Sequence, residues 1–131
     1  MLTHKIIRQY VDTSGNVIGG NEIVSADTEI NFDGAVAADD APHEIEWTVT
    51  VANMQSICIF ATGALTLETN AAGGGHQEEF SLVTNQPIIW HRGADPTGAV
   101  PFSGDVTKLY ATNPGPAIVT LKIRALSTQE V

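Results

Sequence analysis

The stretch EWTVTVANMQSICIFATGALTLETNAAGGG, residues 46–75, decides the fold class of this chain. Apolar and polar residues alternate along it, which is the pattern of β-strands that bury one face. Turn-forming residues interrupt the alternation at intervals. No cluster of chemically reactive side chains accompanies the strands. The stretch therefore predicts a β-sheet structure in which little sequence is devoted to chemistry.

The same organisation extends in both directions from this stretch. Short β-rich segments recur about every ten residues between clusters of Gly, Pro, Asn and Asp, whereas no segment has the apolar spacing of a helix. The predicted strands are residues 3–11, 21–32, 43–51, 56–61, 64–70, 78–83, 87–91, 105–113 and 117–126. Eight or nine short strands predict an all-β fold, an antiparallel β-sandwich of jelly-roll type. An immunoglobulin-type sandwich is less favoured because paired cysteines are missing.

Alternation also predicts which side chains point inward. Within residues 43–51 the apolar side chains share one face, and Glu and Thr share the other; residues 64–70 and 117–126 alternate in the same way. The predicted inward-facing residues are Ile45, Trp47, Val49, Leu65, Leu67, Val119, Leu121 and Ile123. Two loops, the Gly-rich residues 70–77 and the Gly- and Pro-containing residues 92–104, are predicted to be exposed excursions that contact a partner or stay mobile.

Length and cysteine content predict one domain without cross-links. The 131 residues suit a single domain, residues 1–131, with a sizeable core. Cys58 is the one cysteine, so no disulfide forms within the chain. It lies between Ile57 and Ile59, which indicates a small buried apolar residue and not a reactive thiol.

The N-terminal residues 1–15 contain no uninterrupted apolar segment followed by a small-residue cleavage pattern, so we expect no signal peptide. The longest uncharged stretches carry Thr, Asn, Gln and Ser at strand period, which predicts sheet and no membrane partner. We therefore expect a protein that is made and kept in a cytoplasm or leaves by a route that needs no signal.

Charge argues against nucleic acid as a partner. Fifteen acidic and six basic residues give a formal charge of −9, which repels phosphate backbones. The basic residues are grouped towards the two ends of the chain, with none between Arg8 and Arg92. If the two ends fold together, the domain has a mildly basic side and a strongly acidic one. The alternative is that these charges only maintain solubility.

The motif search predicts no catalytic, cofactor or metal residues. The sequence contains no nucleophile elbow, phosphate-binding loop, dinucleotide fingerprint or HExxH motif. Its four histidines are scattered, and none has the spacing of a ligand pair. Paired carboxylates of glycosidase type remain compatible with a sandwich, but a sugar groove usually displays several aromatic residues, and this chain has two Trp and two Tyr. We expect no enzyme.

Three segments carry a family resemblance: SICIFATGALTLETNA, LVTNQPIIW and DVTKLYATNPGPAIVTLKIRAL. In this order and spacing they resemble small virion proteins of tailed bacteriophages, over roughly the last two-thirds of the chain. The residues that carry the likeness are Leu65, Thr66, Leu67, Glu68, Thr69, Asn70, Pro87, Ile88, Ile89, Trp90, Asp105, Val106, Leu109, Tyr110, Thr112, Asn113, Leu121, Ile123 and Arg124. These are strand and turn signatures, not catalytic motifs.

The resemblance implies a capsid cement, or decoration, protein. Such proteins are jelly-roll sandwiches on the outside of the phage head, where they bridge major capsid subunits. It implies a virion protein made in the host bacterial cytoplasm, with the major capsid protein and further copies of itself as partners. If the first and last strands are neighbours, the basic residues share one side that would face an acidic capsid. This predicted interface consists of Lys5, Arg8, Lys108, Lys122 and Arg124.

Two other functions stay open at this point. One is a carbohydrate- or receptor-binding sandwich module of a phage tail or head fibre. The other is a small hydrolase or cupin-like metal enzyme on the same architecture. A stoichiometric transition metal in the purified protein would support the enzyme, and binding to stripped capsid shells separates the decoration protein from the fibre module.

Overall fold

Ten β-strands run through residues 2–92 and 101–128, which are the residues that the computed structural model describes, apart from the side chain of Glu22. Two short 3-10 helices, Val51–Asn53 and Gly73–Gly75, lie between strands. The strands are β1 Leu2–Val11, β2 Val17–Ala26, β3 Thr28–Val36, β4 His43–Ile45, β5 Met54–Ala61, β6 Leu65–Thr69, β7 Glu79–Leu82, β8 Ile88–His91, β9 Leu109–Thr112 and β10 Val119–Ser127.

The strands form three antiparallel sheets, so the all-β prediction is confirmed. β1 and β2 pair with each other and form sheet A. Sheet B has the strand order β3-β10-β5-β8, and sheet C has the order β4-β9-β6-β7. The inner faces of sheets B and C contribute to one hydrophobic core. We refer to this pair of sheets as the sandwich, and to the β1–β2 hairpin as the arm.

The strand boundaries correct the sequence prediction near the N-terminus. The predicted strand 21–32 is two strands, because the chain bends at Asp27 and passes from the arm into sheet B. Gly19 and Gly20, which precede the predicted strand 21–32, lie inside β2. A side chain at Gly19 would collide with the carbonyl oxygen of Arg8 on the paired strand, so glycine there permits the close pairing of the ribbon.

Two further boundaries differ. Strand pairing in the predicted strand 43–51 covers only His43–Ile45, with an isolated bridge between Val49 and Val106. The alternating burial nevertheless continues as predicted through Val49. β3 extends to Val36, into a segment predicted to be loop, because residues 28–36 pair along their whole length with β10.

The predicted core is confirmed. All eight residues predicted to face inward are buried and belong to the shared core, as does Phe102. Trp47 joins the two sheets, because its indole N–H donates to the carbonyl oxygen of Ile30 in β3 at 3.1 Å. Its ring lies 5.9 Å from that of Phe102, which in turn meets Phe80 edge-on at 5.5 Å.

The described parts of the two predicted loop excursions are more firmly attached than expected. Loop 70–77 is held by Glu68, whose carboxylate accepts the Gly73 N–H at 2.7 Å and pairs with His76 at 2.8 Å. In loop 92–104, residues 93–100 lie outside the described residues, but Phe102 is buried in the core. The second loop therefore ends in a core residue that the Gly and Pro content concealed.

Candidate interaction surface

The arm is closed by a five-residue turn that its first residue organises. The Asp12 carboxylate accepts the backbone N–H groups of Ser14 and Asn16, both at 2.9 Å. Gly15 has φ of 84°, a left-handed conformation that glycine adopts without strain. The hydrogen bonds from Asn16 and its neighbours lower the pKa of Asp12 below its usual value. The turn therefore fixes the register of the hairpin and carries a negative charge at its tip.

The base of the arm rests on the outer face of sheet B. Ala26, Ser56 and Leu126 are all buried there, although none belongs to the core between the sheets. They form a second, small packed region beneath the arm, because β1 and β2 contact β10, and β2 contacts β5. His4 of the arm also pairs with Glu29 of β3 at 2.7 Å, and this hydrogen bond lowers the pKa of Glu29.

A cleft of about 380 Å³ remains between the arm base and sheet B. Its lining includes Ile6, Ile89, Cys58 and Ser56. The Ser56 hydroxyl is buried without a hydrogen-bond partner among the described residues, and burial raises the pKa of the Cys58 thiol. Cys58 is only partly buried, whereas the sequence predicts a buried residue, because its side chain points to the outer face of sheet B and lines the cleft.

The sandwich covers the inner face of the arm only near its base. His4 and Ile6 are partly buried, but three residues further along the same face are exposed: Arg8, Tyr10 and Ile18. Tyr10 is 69% exposed and Ile18 is 65% exposed, and the register pairs them directly across the hairpin. We call Arg8, Tyr10 and Ile18 the overhang surface.

The outer face of the arm is exposed along its whole length. Strand alternation and the hairpin register place four apolar residues on it: Ile7, Val11, Val17 and Ile23. Thr3 and Ser25 lie on the same face, and their hydroxyl oxygens are 3.3 Å apart. The arm therefore exposes apolar side chains on both faces, which a two-stranded ribbon in water does not favour.

The structure brings most of the predicted basic interface to the arm side of the sandwich. Lys5 and Arg124 line the same cleft. Lys122 lies two residues before Arg124 in β10, and alternation puts it on the same outer face. Arg8 belongs to the overhang surface. Lys108 precedes β9 in sheet C and hydrogen-bonds through its backbone to Asn70, so it lies apart from the other four.

One of these basic residues is already paired. The Arg124 guanidinium donates to both carboxylate oxygens of Asp33, at 2.9 and 2.8 Å, and to the backbone carbonyl of Phe32. The bonds from Nη2 to Asp33 and from Nη1 to Phe32 together fix the side chain across the β3–β10 boundary. Arg124 therefore contributes to the stability of sheet B as well as to the charge of the arm side.

The described residues present no assembled metal-binding site. They include no group of three or more His, Cys, Asp or Glu side chains placed to hold a metal ion. Glu68 and His76 form an acid–base pair at 2.8 Å, with Glu79 3.8 Å from the other ring nitrogen. Their contacts hold loop 70–77, which is a structural task.

The sequence predicts the arm strand 3–11 but not the exposure of its apolar residues. Its apolar residues occur at both parities, Ile6 and Tyr10 on one face and Ile7 and Val11 on the other. That pattern is also typical of a strand buried on both faces, and only the structure shows that sheets B and C leave the arm largely uncovered.

Comparison of the chain with protein-family models, with curated proteins and with solved structures found no match. In the described part of the chain, no helix has the length and apolar character needed to cross a membrane.

Proposed function

We propose that this chain is a decoration protein of a tailed-phage capsid, a structural protein without a catalytic role that binds the outside of the head and bridges major capsid subunits. The proposed location in the virion and the proposed capsid partner rest on the sequence resemblance. The observation that carries the attachment mode is the overhang surface, where Arg8, Tyr10 and Ile18 project beyond the sandwich.

We also propose that the sandwich is a jelly roll. The support is the nested pairing of its eight strands: β6 with β7, β5 with β8, β4 with β9 and β3 with β10. This is the pairing of one long hairpin, and adding the β10–β5 and β9–β6 pairs rolls that hairpin into two four-stranded sheets. Two sheets of four antiparallel strands suit the eight-stranded double-sheet architecture. The arm precedes this unit as an addition.

The composition of the overhang surface favours binding to protein. Tyr and Arg are enriched among the residues that dominate binding energy at protein interfaces, and here they stand beside an exposed isoleucine. A tyrosine ring carries a large contact area with few rotatable bonds, so ordering it costs little entropy. We infer that these three side chains enter a partly apolar, acidic depression on the major capsid protein.

Charge would orient the protein as it docks. The basic residues of the arm side are Lys5, Arg8, Lys122 and Arg124, whereas the chain as a whole carries −9. An acidic capsid exterior would attract the arm side and repel the remainder. Exposed charge pairs add little affinity, so apolar contacts supply most of the attachment, and repetition over a symmetric shell strengthens it by avidity.

The test is binding of the purified protein to undecorated phage shells. Replacing the two apolar residues of the overhang surface, Tyr10→Ser with Ile18→Thr, should weaken binding about ten-fold or more, as expected for loss of central interface residues. A matched control is Val83→Thr with Ile118→Thr, because both side chains are exposed and lie outside the arm.

Full-strength binding of the Tyr10/Ile18 variant would move the attachment site away from the arm. If the wild-type protein ignores shells but binds glycans or a host receptor, the chain belongs to a fibre and the decoration proposal is wrong.

A further inference from the structure

The outer face of the arm carries two apolar pairs. Val11 and Val17 are directly opposite each other near the turn and form the distal pair. Ile7 and Ile23 are diagonal neighbours near the base and form the proximal pair. All four side chains are more than half exposed, and cross-strand pairs of this kind form a continuous apolar strip. We propose that this strip binds the same strip of a second copy of this chain, as a two-fold dimer of antiparallel arms.

The spacing of the apolar pairs is self-complementary. On β1, the two apolar residues lie symmetrically about Gln9, so an arm turned end to end places Ile7 over Val11 of the other copy. On β2, the two apolar residues lie symmetrically about Gly20. The register puts Gly20 opposite Arg8, one residue from Gln9, so one two-fold axis between the two centres fits both strands to within about half of the ~3.3 Å rise of a strand residue. An isologous contact requires such a match of a surface with itself.

Charge follows the same symmetry. Lys5 lies beside the proximal pair, and Asp12 follows the distal pair at the turn. The midpoint between Lys5 and Asp12 on β1 falls between Arg8 and Gln9, at the proposed axis. In the antiparallel dimer each Lys5 therefore lies near the turn of the other copy, where the Asp12 carboxylate accepts the turn amides and carries a negative charge, and this opposite-charge attraction occurs twice. A parallel arrangement would instead place the two Lys5 side chains together, which is unfavourable.

The middle of the strip allows close approach. Gly19 lies opposite Gln9, so the face has no side chain at that point on β2. Thr3, Lys5 and Ile7 at the base of this face also line the cleft against sheet B, but the face is exposed along its length, so the sandwiches of the two copies lie on opposite sides of the paired arms. The overhang surface is on the other face of each arm. The dimer therefore goes beyond the proposed capsid attachment and leaves that surface free.

The area of the strip predicts a weak dimer. A ribbon face ten residues long and two strands wide covers on the order of 300 Å². Two such faces together bury on the order of 600 Å², below the roughly 1,000 Å² expected of a stable specific interface. We therefore expect a reversible dimer at high protein concentration, and a more populated one between neighbours on a shell, where effective concentration is high.

Sedimentation equilibrium of the full chain, without shells, tests the proposal over concentrations from about 10 µM to 1 mM, the range of weak association. Ile23→Lys places a charge of each copy in the strip and should weaken dimerisation about ten-fold or more. Ile118→Lys is the matched control, because Ile118 is 69% exposed and Ile23 is 67% exposed, and it should leave dimerisation unchanged. A monomer throughout the range, or equal effects of the two variants, would overturn the dimer.

Salt dependence tests the cross-copy ion pairs separately. Dimerisation of the wild-type protein should weaken as salt rises, because the Lys5–Asp12 attractions are screened. Lys5→Glu should weaken dimerisation at low salt and reverse this dependence, whereas Lys122→Glu, an equal charge change away from the strip, should keep the wild-type slope. The same slope for both variants would contradict the antiparallel arrangement.

Cross-linking tests the position of the axis. In a Cys58→Ser background, Gln9→Cys places two thiols across the axis on ribbons about 10 Å apart, within reach of a short bis-maleimide. Tyr10→Cys places them on the opposite face and should cross-link poorly. Equal cross-linking of both variants would overturn the proposed geometry, and none of these results depends on whether the protein binds capsids.

Discussion

The sandwich and the arm are built from the same strand pattern, but they bury it to different extents. In sheet B, β10 alternates regularly, and Leu121 and Ile123 are fully buried between the sheets. In the arm, β1 has 10 residues against 9 in β10 and is also rich in β-branched residues, yet Ile7 and Val11 stay exposed. Alternation therefore predicts that a strand has two distinct faces, but the presence of a second layer decides whether a face is buried.

The two regions also differ in what holds them. Two strands without a covering layer are marginally stable in water. The arm therefore depends on the small packed region around Ala26, where its base contacts sheet B, and on the turn organised by Asp12. The sandwich has a core that spans two sheets. We infer that the arm opens locally at lower free energy than the sandwich, and that its exposed residues are kept for binding.

The largest expected effect is on the free energy of unfolding, which core substitutions should lower far more than arm substitutions. Leu121→Ala should lower the free energy of unfolding by about 2–5 kcal/mol, and Trp47→Ala by about 3–5 kcal/mol, because both side chains are buried in the core. Ile7→Ala, on the outer face of the arm, should change it by no more than about 0.5 kcal/mol. Urea unfolding of the three variants measures this, at concentrations where the protein is monomeric. A large loss for Ile7→Ala would mean that the arm is part of the core.

Much of the sandwich could be predicted from local pattern. Trp47, Leu67 and Leu121 each occupy one parity of an alternating segment, and periodicity alone assigns them inward. Phe102 was missed because it lies between Pro101 and Ser103 in a turn-rich segment and belongs to no periodic segment, so only tertiary packing places it in the core. Pairing between distant strands, such as β3 with β10, also leaves no local signal.

The residues of the proposed interfaces also could be predicted only in part, because their placement depends on contacts between distant segments. Charge grouping correctly brought Lys5 and Arg124 together, because they line one cleft. It did not separate Lys108, which lies by sheet C, because the sheet to which a strand belongs is not encoded in its own residues. The apolar overhang was also hidden, since Tyr10 and Ile18 look like core residues until the extent of the sandwich is known.

A smaller effect is expected on the rate of association with shells, where a charge change on the arm side is compared with one by sheet C. Lys122→Glu with Arg124→Glu should slow association with undecorated shells at low salt, because it reverses charge on the arm side. Each exposed pair contributes only about 0.2–1 kcal/mol, so the final affinity changes less than the rate. Lys108→Glu is the control by sheet C and should leave the rate nearly unchanged. The association rate is measured at two salt concentrations. An association rate of the double variant equal to that of the wild-type protein at low salt would contradict the arm-side orientation.

The smallest effect contrasts two loops that carboxylates hold, one in each region. In the arm turn, hydrogen bonds led by that from Asn16 lower the pKa of Asp12. In sandwich loop 70–77, the hydrogen bond to Glu68 raises the pKa of His76 above its usual value. A lowered carboxyl pKa stabilises the folded state above the unfolded value and loses that contribution as pH falls. A raised histidine pKa stabilises it below the unfolded value and loses that contribution as pH rises.

The two loops should therefore respond to pH in opposite directions. The arm turn should loosen below about pH 3.8, where Asp12 becomes protonated, while loop 70–77 should loosen as the pH rises through the folded pKa of His76, above about 6.5. NMR titration of the Ser14 and Gly73 amides reports each loop, because each amide donates to the carboxylate concerned. His76→Gln should abolish the change at Gly73 near neutral pH and leave Ser14 unaffected. If Gly73 is unchanged across neutral pH in the wild-type protein, the Glu68–His76 contact does not hold the loop, and the attachment must come from the backbone hydrogen bonds between Thr69 and both Gln77 and Glu78.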